Sequence, residues 1–211
     1  DLVAMCANDV AVSGAEPLFF LDYFATGKLA VATAEAVVRG IAEGCRQAGA
    51  VWSGGETQTL KGMITPGTVV LGGSAFGRIA PKSHRIAGDV REGDAIIFLA
   101  SSGVQTNGLT LCRAVADRLP EGYRTKLSDG RSYGEALLDA SVIYVPFVAA
   151  CQQAGLPLHY AVHMTGHGWR KLMRLDAPFV YRIDSVPKPP PDSRIIAVTS
   201  DGATAESRAN V

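Results

Sequence analysis

Four places in this 211-residue chain set glycine beside a carboxylate, hydroxyl or imidazole, and those are the residues with chemistry to offer. They are Asn8-Asp9 ahead of Gly14, the run Gly54-Gly55-Glu56-Thr57, the pair Ser101-Ser102-Gly103 and Thr106-Asn107-Gly108, and His163-Met164-Thr165-Gly166-His167-Gly168. Glycine supplies 23 of 211 residues, above the usual share of about 7%, so backbone N–H groups are unusually open to approach. Three of the four clusters are expected where a strand or loop feeds a helix, a setting in which N–H groups and the positive helix end hold phosphate. Asp9 and Glu56 would add the oxygen ligands that Mg²⁺ takes when it bridges a nucleotide's phosphates.

Each cluster also has a plainer reading. A glycine pair before a polar residue makes an ordinary turn. Asp9 is a surface residue unless it has a partner, because its apolar neighbours make a lone charge costly. His163, after Tyr160-Ala161-Val162, fits a half-buried, hydrogen-bonded histidine, and His84 and His159 are read as loop residues without a role. Neither G-x-x-x-x-G-K-[ST] nor G-x-G-x-x-G occurs. Spacing alone therefore gives an α+β protein with several candidate anion sites.

The elements that must carry these residues follow from periodicity. Residues 2–13 read as a buried helix stopped by Gly14-Ala15-Glu16-Pro17, and Leu18 to Phe24 as a buried strand. Ala34, Val37, Val38, Ile41, Cys45 and Ala48 recur at helical spacing, with Thr33 as N-cap and Gly49 as stop. A short strand Val51-Trp52-Ser53 runs into the Gly54 cluster. Thr68 to Ile79 is a second strand, with Gly72 and Gly73 marking a bulge or a close backbone approach. Ala95 to Ala100 reads as a further buried strand. Leu109 to Leu119 and Ala136 to Ala154 read as helices, and Pro187 to Pro191 as a stiff extended break. The polar stretch from Pro81 to Asp94 predicts a split into two domains, 1–82 and 83–191, with 192–211 a divergent tail.

Composition narrows the classes. Apolar residues make up 47% and charged residues 19%, enough for a packed core. A formal net charge of zero gives no electrostatic footprint for nucleic acid or an anionic membrane. No apolar run approaches the roughly 20 residues a spanning helix needs. Cys6, Cys45, Cys112 and Cys151 are far apart and lie among apolar neighbours, which predicts reduced core thiols of a cytoplasmic protein.

The residues themselves carry a resemblance. Asp1 to Asp9, then Gly14 to Tyr23 and Ala25-Thr26-Gly27-Lys28-Leu29, resemble phosphoribosylformylglycinamidine cyclo-ligase, or aminoimidazole ribonucleotide synthetase. Asp9-x4-Gly14-Ala15-x-Pro17 looks like the signature of its whole superfamily. Ile41 to Cys45, Gly54 to Thr57, Gly62-Met63, Ser101-Ser102-Gly103-x-x-Thr106-Asn107-Gly108 and His163-x-Thr165-Gly166-x-Gly168 extend the likeness over roughly residues 1–186. It implies a two-domain, α+β, ATP-dependent synthetase fold of mixed sheets flanked by helices, with the N-terminal domain truncated. The implied reaction is ATP-dependent ring closure of formylglycinamidine ribonucleotide to aminoimidazole ribonucleotide.

The resemblance also implies roles. Asp9 and Glu56 stand on the Mg²⁺-ATP side. Asn8, Gly54, Gly55, Thr57, Ser102, Gly103, Thr106, Asn107, Gly108, Thr165 and Gly166 bind nucleotide or substrate. His163 faces the formyl group as an electrophilic aid or proton carrier, and Asp9 joins it in catalysis. A homodimer joined through N-terminal sheets is implied. The family carries an upstream Lys-bearing arm and a Gly-rich Asp motif, and it continues beyond Pro191, so the sequence reads as incomplete at both ends. Gln105 replaces a histidine, and His167 the middle glycine of a Thr-Gly-Gly-Gly turn. Two other readings stand beside this one: a non-catalytic nucleotide-binding or dimerisation module, and a small-metabolite kinase of the same superfamily.

Overall fold

A computed structural model describes residues 1–185, so the proline-rich break and the 192–211 tail lie outside the described residues. The elements in chain order are α1 (Leu2–Ala11), β1 (Glu16–Thr26), α2 (Val31–Ala48), β2 (Val51–Thr59), β3 (Val69–Arg78), α3 (Leu109–Ala116), α4 (Tyr133–Ala136) and α5 (Val145–Gln153). Two compact units result. The first is Asp1–Glu92 with Ile143–His163, and the second is Gly93–Val142 with the described residues from Met164 on. The change of unit near residue 92 falls at the far end of the polar stretch, and the chain returns to the first unit for α5, which a single break at 82 does not provide for.

The first unit is α+β. Its sheet has the order β2-β1-β3, with β2 parallel and β3 antiparallel to β1. Pleating sends alternate residues of β1 to opposite faces. Phe20, Asp22, Phe24 and Thr26 are buried, whereas Phe19, Leu21 and Tyr23 are exposed. Helices cover the buried face, where Val3, Ala7 and Ala11 of α1 meet Phe20, with Ile41, Cys45 and Ala48 of α2 and Val145 and Val148 of α5. Gly73 makes the expected close approach: a Cβ there would stand 2.6 Å from Cζ of Phe20. The register shifts, however, lie elsewhere: Ser53 is extra opposite the Phe20–Leu21 step of β1, where Gly54 takes φ 151°, and Leu18 is extra against β3 between Pro17 and Phe19.

Three local expectations are corrected. The second long helix begins at Val31 with Ala30 as an N-cap lacking a side-chain bond, and Thr33 lies inside its first turn. Its end is as read, with Gly49 left-handed at φ 67°. Ala136–Ala154 is not one helix but α4 and α5 separated by residues 137–144. Pro146 explains the break, since it lacks an N–H and its ring would strike the carbonyl four residues back in a continuous helix. Ala95–Ala100 is not a buried strand: it has no ladder partner among the described residues, and Ile97 is 75% exposed. An apolar run satisfies a strand template without specifying a neighbour to pair with.

The second unit has its own core, in which Cys112, Val115 and Ala116 of α3 pack with Leu127, Tyr133 and Ala136. Tyr133 donates its hydroxyl to the carbonyl of Cys112 at 3.2 Å, which satisfies the buried phenol. Ser132 and Glu135 cap α4 reciprocally. All four cysteines are free; Cys45, Cys112 and Cys151 are buried, as read, and Cys6 is half-buried.

Candidate active site

Helix α1 carries Asn8 and Asp9 in adjacent positions, and about 100° of helical rotation sends them different ways. Asn8 turns inward. It is 2% exposed, and its Oδ1 accepts the backbone N–H of Tyr144 at 2.8 Å, tying α1 to the start of α5. Asp9 turns outward, and its Oδ1 lies 2.9 Å from Nδ1 of His163. The two ends of this pair differ in setting: the His163 side chain is 11% exposed and that of Asp9 is 69% exposed. A carboxylate at Nδ1 holds the proton on that nitrogen, so Nε2 is the accepting nitrogen of the neutral ring. Cys6, one turn before, has its thiol pushed up by burial and then by the charge of Asp9.

The Gly54-Gly55-Glu56-Thr57 cluster is not a turn feeding a helix. It lies inside β2, with Gly55 paired to Asp22, Glu56 to Tyr23 and Thr57 to Phe24. Partners in register share a face, so Gly55 and Thr57 face the helices and Glu56 joins Tyr23 on the uncovered side. Asp9 sits on a helix that covers the first face. The structure therefore does not bring Asp9 and Glu56 together, and no group of three or more His, Cys, Asp or Glu side chains converges among the described residues. What Gly54, Gly55 and Thr57 do line is a cavity of about 320 Å³, with Asp22, Phe24, Val37, Val38, Trp52 and Ser53.

In the second unit, residues 101–108 form a loop that feeds α3, as expected. Gly108 is its left-handed N-cap at φ 95°. The hydroxyl of Ser102 donates to the carbonyl of Ala140 at 2.7 Å and receives the Gln105 amide at 3.3 Å. Gly103 donates its N–H to Ser101, and Asn107 its amide to Thr106. Further along, Thr165 accepts a hydrogen bond from Nζ of Lys171, a lysine only 7% exposed, and Gly166 follows it in the turn. Gln105 and His167 both take positive φ, at 58° and 72°. His167 adopts the left-handed conformation that glycine takes without a Cβ penalty.

Asp22, Trp52 and Lys171 were missed in the sequence. Asp22 lay inside an apolar strand, and only strict alternation from Phe20 to Phe24 could have turned it inward. The spacing of Lys171 from Thr165 has no signature of its own.

Residues 1–79, from α1 through β3, match the family described as AIR synthase related protein, N-terminal domain. The likeness to that domain family thus spans the first 79 residues. Over 170 residues, 80% of this chain, the sequence is 49% identical to the phosphoribosylformylglycinamidine cyclo-ligase of Anaeromyxobacter sp. (strain Fw109-5), covering 49% of that protein. The chain thus spans about half the length of that curated relative, and the cyclo-ligase resemblance extends well beyond the AIR synthase domain. Among solved structures, HypE of E. coli, a hydrogenase maturation protein, matches at 22% identity and a TM-score of 0.46, over 72% of this chain and 42% of HypE. A HypE–HypF complex matches at 16% identity and a TM-score of 0.39, over 77% and 65%. The assignment rests on the sequence matches. No described helix is long and apolar enough to cross a membrane.

Proposed function

We propose that the protein carrying this sequence is a cytoplasmic cyclo-ligase that uses ATP and Mg²⁺ to convert formylglycinamidine ribonucleotide to aminoimidazole ribonucleotide. The observation that carries the reading is 49% identity over 170 residues to a protein of that name. The bond between His163 and Asp9 supports a division of labour.

The formyl oxygen of the substrate takes the γ-phosphoryl group and becomes part of a good leaving group. A nitrogen of the same substrate then bonds to that carbon as the oxygen departs with the phosphate, and the nitrogen gives up one proton. Nε2 of His163 accepts that proton while Asp9 holds Nδ1–H and stabilises the imidazolium. Mg²⁺ on the nucleotide would offset charge on the transferring phosphoryl oxygens. Mg²⁺ needs only one or two protein carboxylates beside phosphate oxygens, so the exposed Asp9 fits as one. Glu56 does not join it from the same face.

In this reading the loop before α3 offers N–H groups to a phosphate at the helix N-terminus, with Ser102, Gly103, Thr106, Asn107 and Gly108 setting its shape. Thr165 and Gly166 meet substrate from the turn that Lys171 braces. The uncovered sheet face, with Phe19, Leu21, Val51 and Phe76 exposed on one side, supports a homodimer joined sheet to sheet.

The test is phosphate release from ATP by the full-length protein. Release that depends on formylglycinamidine ribonucleotide is expected. ATP binding by calorimetry without such turnover would overturn the reading in favour of a non-catalytic module, and turnover with a different acceptor in favour of a kinase.

A further inference from the structure

The cavity between α2 and the β1–β2 pair holds a charge that the reaction above does not use. Asp22 is 9% exposed on the helix-covered face of β1. Its Oδ1 receives the indole N–H of Trp52 at 2.7 Å, a bond that Trp52 shares with the carbonyl of Gly54 at 3.0 Å. One neutral, shared donor is little for a buried carboxylate, which can accept about four hydrogen bonds. No Lys, Arg or His of the described residues forms an ion pair with it. The titratable group from α2 that feels its charge is the buried thiol of Cys45.

The walls are arranged around that carboxylate. Phe24, Val37, Val38 and Trp52 give apolar and aromatic surface, and Ser53 and Thr57 give hydroxyls. Gly55 has no room for a side chain, since a Cβ there would stand 2.0 Å from Oδ1 of Asp22. The volume, about 320 Å³, lies at the lower end of the range for small-molecule sites, roughly 300–1,000 Å³. A carboxylate with a single protein donor, set in a partly apolar and aromatic groove, is complementary to a small cation with N–H donors and an apolar body.

We propose that this cavity binds a small amidinium or primary ammonium compound, its cationic head on Asp22 and its apolar body between Trp52, Val37 and Val38. The inference does not depend on the cyclo-ligase reading. Trp52 makes it measurable: these 211 residues hold two tryptophans, and with Trp169 and any tryptophan of the full-length protein outside them changed to Phe, Trp52 is the reporter.

In that background, benzamidine titrated against the full-length protein should change Trp52 fluorescence saturably, and neutral benzamide should not. Asp22→Asn, which keeps the shape and an acceptor for Trp52, should weaken benzamidine roughly tenfold or more. Should Asp22→Asn not fold, Val38→Phe decides: it fills the cavity from a partly exposed position of α2 and should abolish binding. Absence of saturable binding, equal affinity for benzamide, or unchanged benzamidine affinity in either variant would overturn the proposal.

Discussion

Gly40 and Gly44 sit one turn apart in α2, and alanine should stabilise at the first and not at the second. Both substitutions gain the same intrinsic helix preference, about 1 kcal/mol over glycine in a helix interior. At Gly40 a new Cβ meets nothing within 4 Å, so that gain is realised in full. At Gly44 the new Cβ would stand 2.8 Å from Cβ of Val3 and 3.0 Å from its Cγ2, and Val3 is 2% exposed in the core. Relieving that contact forces α1 away from α2 at an overpacking cost of about 1–3 kcal/mol. The propensity gain cancels between the two variants, so their difference isolates the packing term. Gly40→Ala should be stabilised by about 1 kcal/mol, and Gly44→Ala should fall below it by about 1–3 kcal/mol. Urea denaturation followed by circular dichroism measures both. Equal stabilisation would refute the α1–α2 packing, and with it the seat of the helix that presents Asp9 to His163.

Gly55→Ala would press a methyl group on both the carboxylate and the carbonyl of Asp22, at 2.0 and 2.5 Å, so a loss of about 2–4 kcal/mol is expected in the same urea assay. A loss below about 0.5 kcal/mol would contradict the β1–β2 register. The Cys6 thiol, with its pKa raised by burial and by Asp9, should react with iodoacetamide more slowly than a free thiol at pH 8.5. Asp9→Asn removes the second cause, so alkylation at that pH should speed up, and no change would separate the two side chains. Phe76→Glu places a charge on the uncovered sheet face, where Phe76 is 57% exposed, and should convert a sedimenting dimer to monomer without lowering the melting temperature of the monomer. A dimer that persists would move the interface elsewhere.

The parts of the fold legible in the sequence are those where one rule decides. Gly14, left-handed at φ 84°, turns the chain just after α1, Gly49 ends α2, and Cys112, Val115 and Ala116 mark the inward stripe of α3. Apolar density was less informative. Ile96, Ile97 and Leu99 satisfy a strand template, but pairing is a relation to another segment, and their exposure reports that relation rather than their own composition. The Gly54 cluster misled for a related reason. Glycine permits both a phosphate-cradling turn and a bulged strand, and the parallel ladder with β1 selected the strand. That choice separates Gly55 and Thr57 from Glu56 by face, which no spacing rule in a loop would do. The pairing of Asp9 with His163, 154 positions apart, is likewise set by where α1 packs and not by either local motif.

Whether Asp9 and His163 act as one unit in ring closure is tested most directly by a double-mutant cycle on kcat/KM for ATP-dependent conversion of formylglycinamidine ribonucleotide by the full-length protein. His163→Gln and Asp9→Asn should each lower it by roughly 100-fold or more, as loss of a general acid–base does. If the pair is a unit, the double variant should be no worse than the poorer single one. Losses that multiply, or either single variant at full rate, would contradict the account.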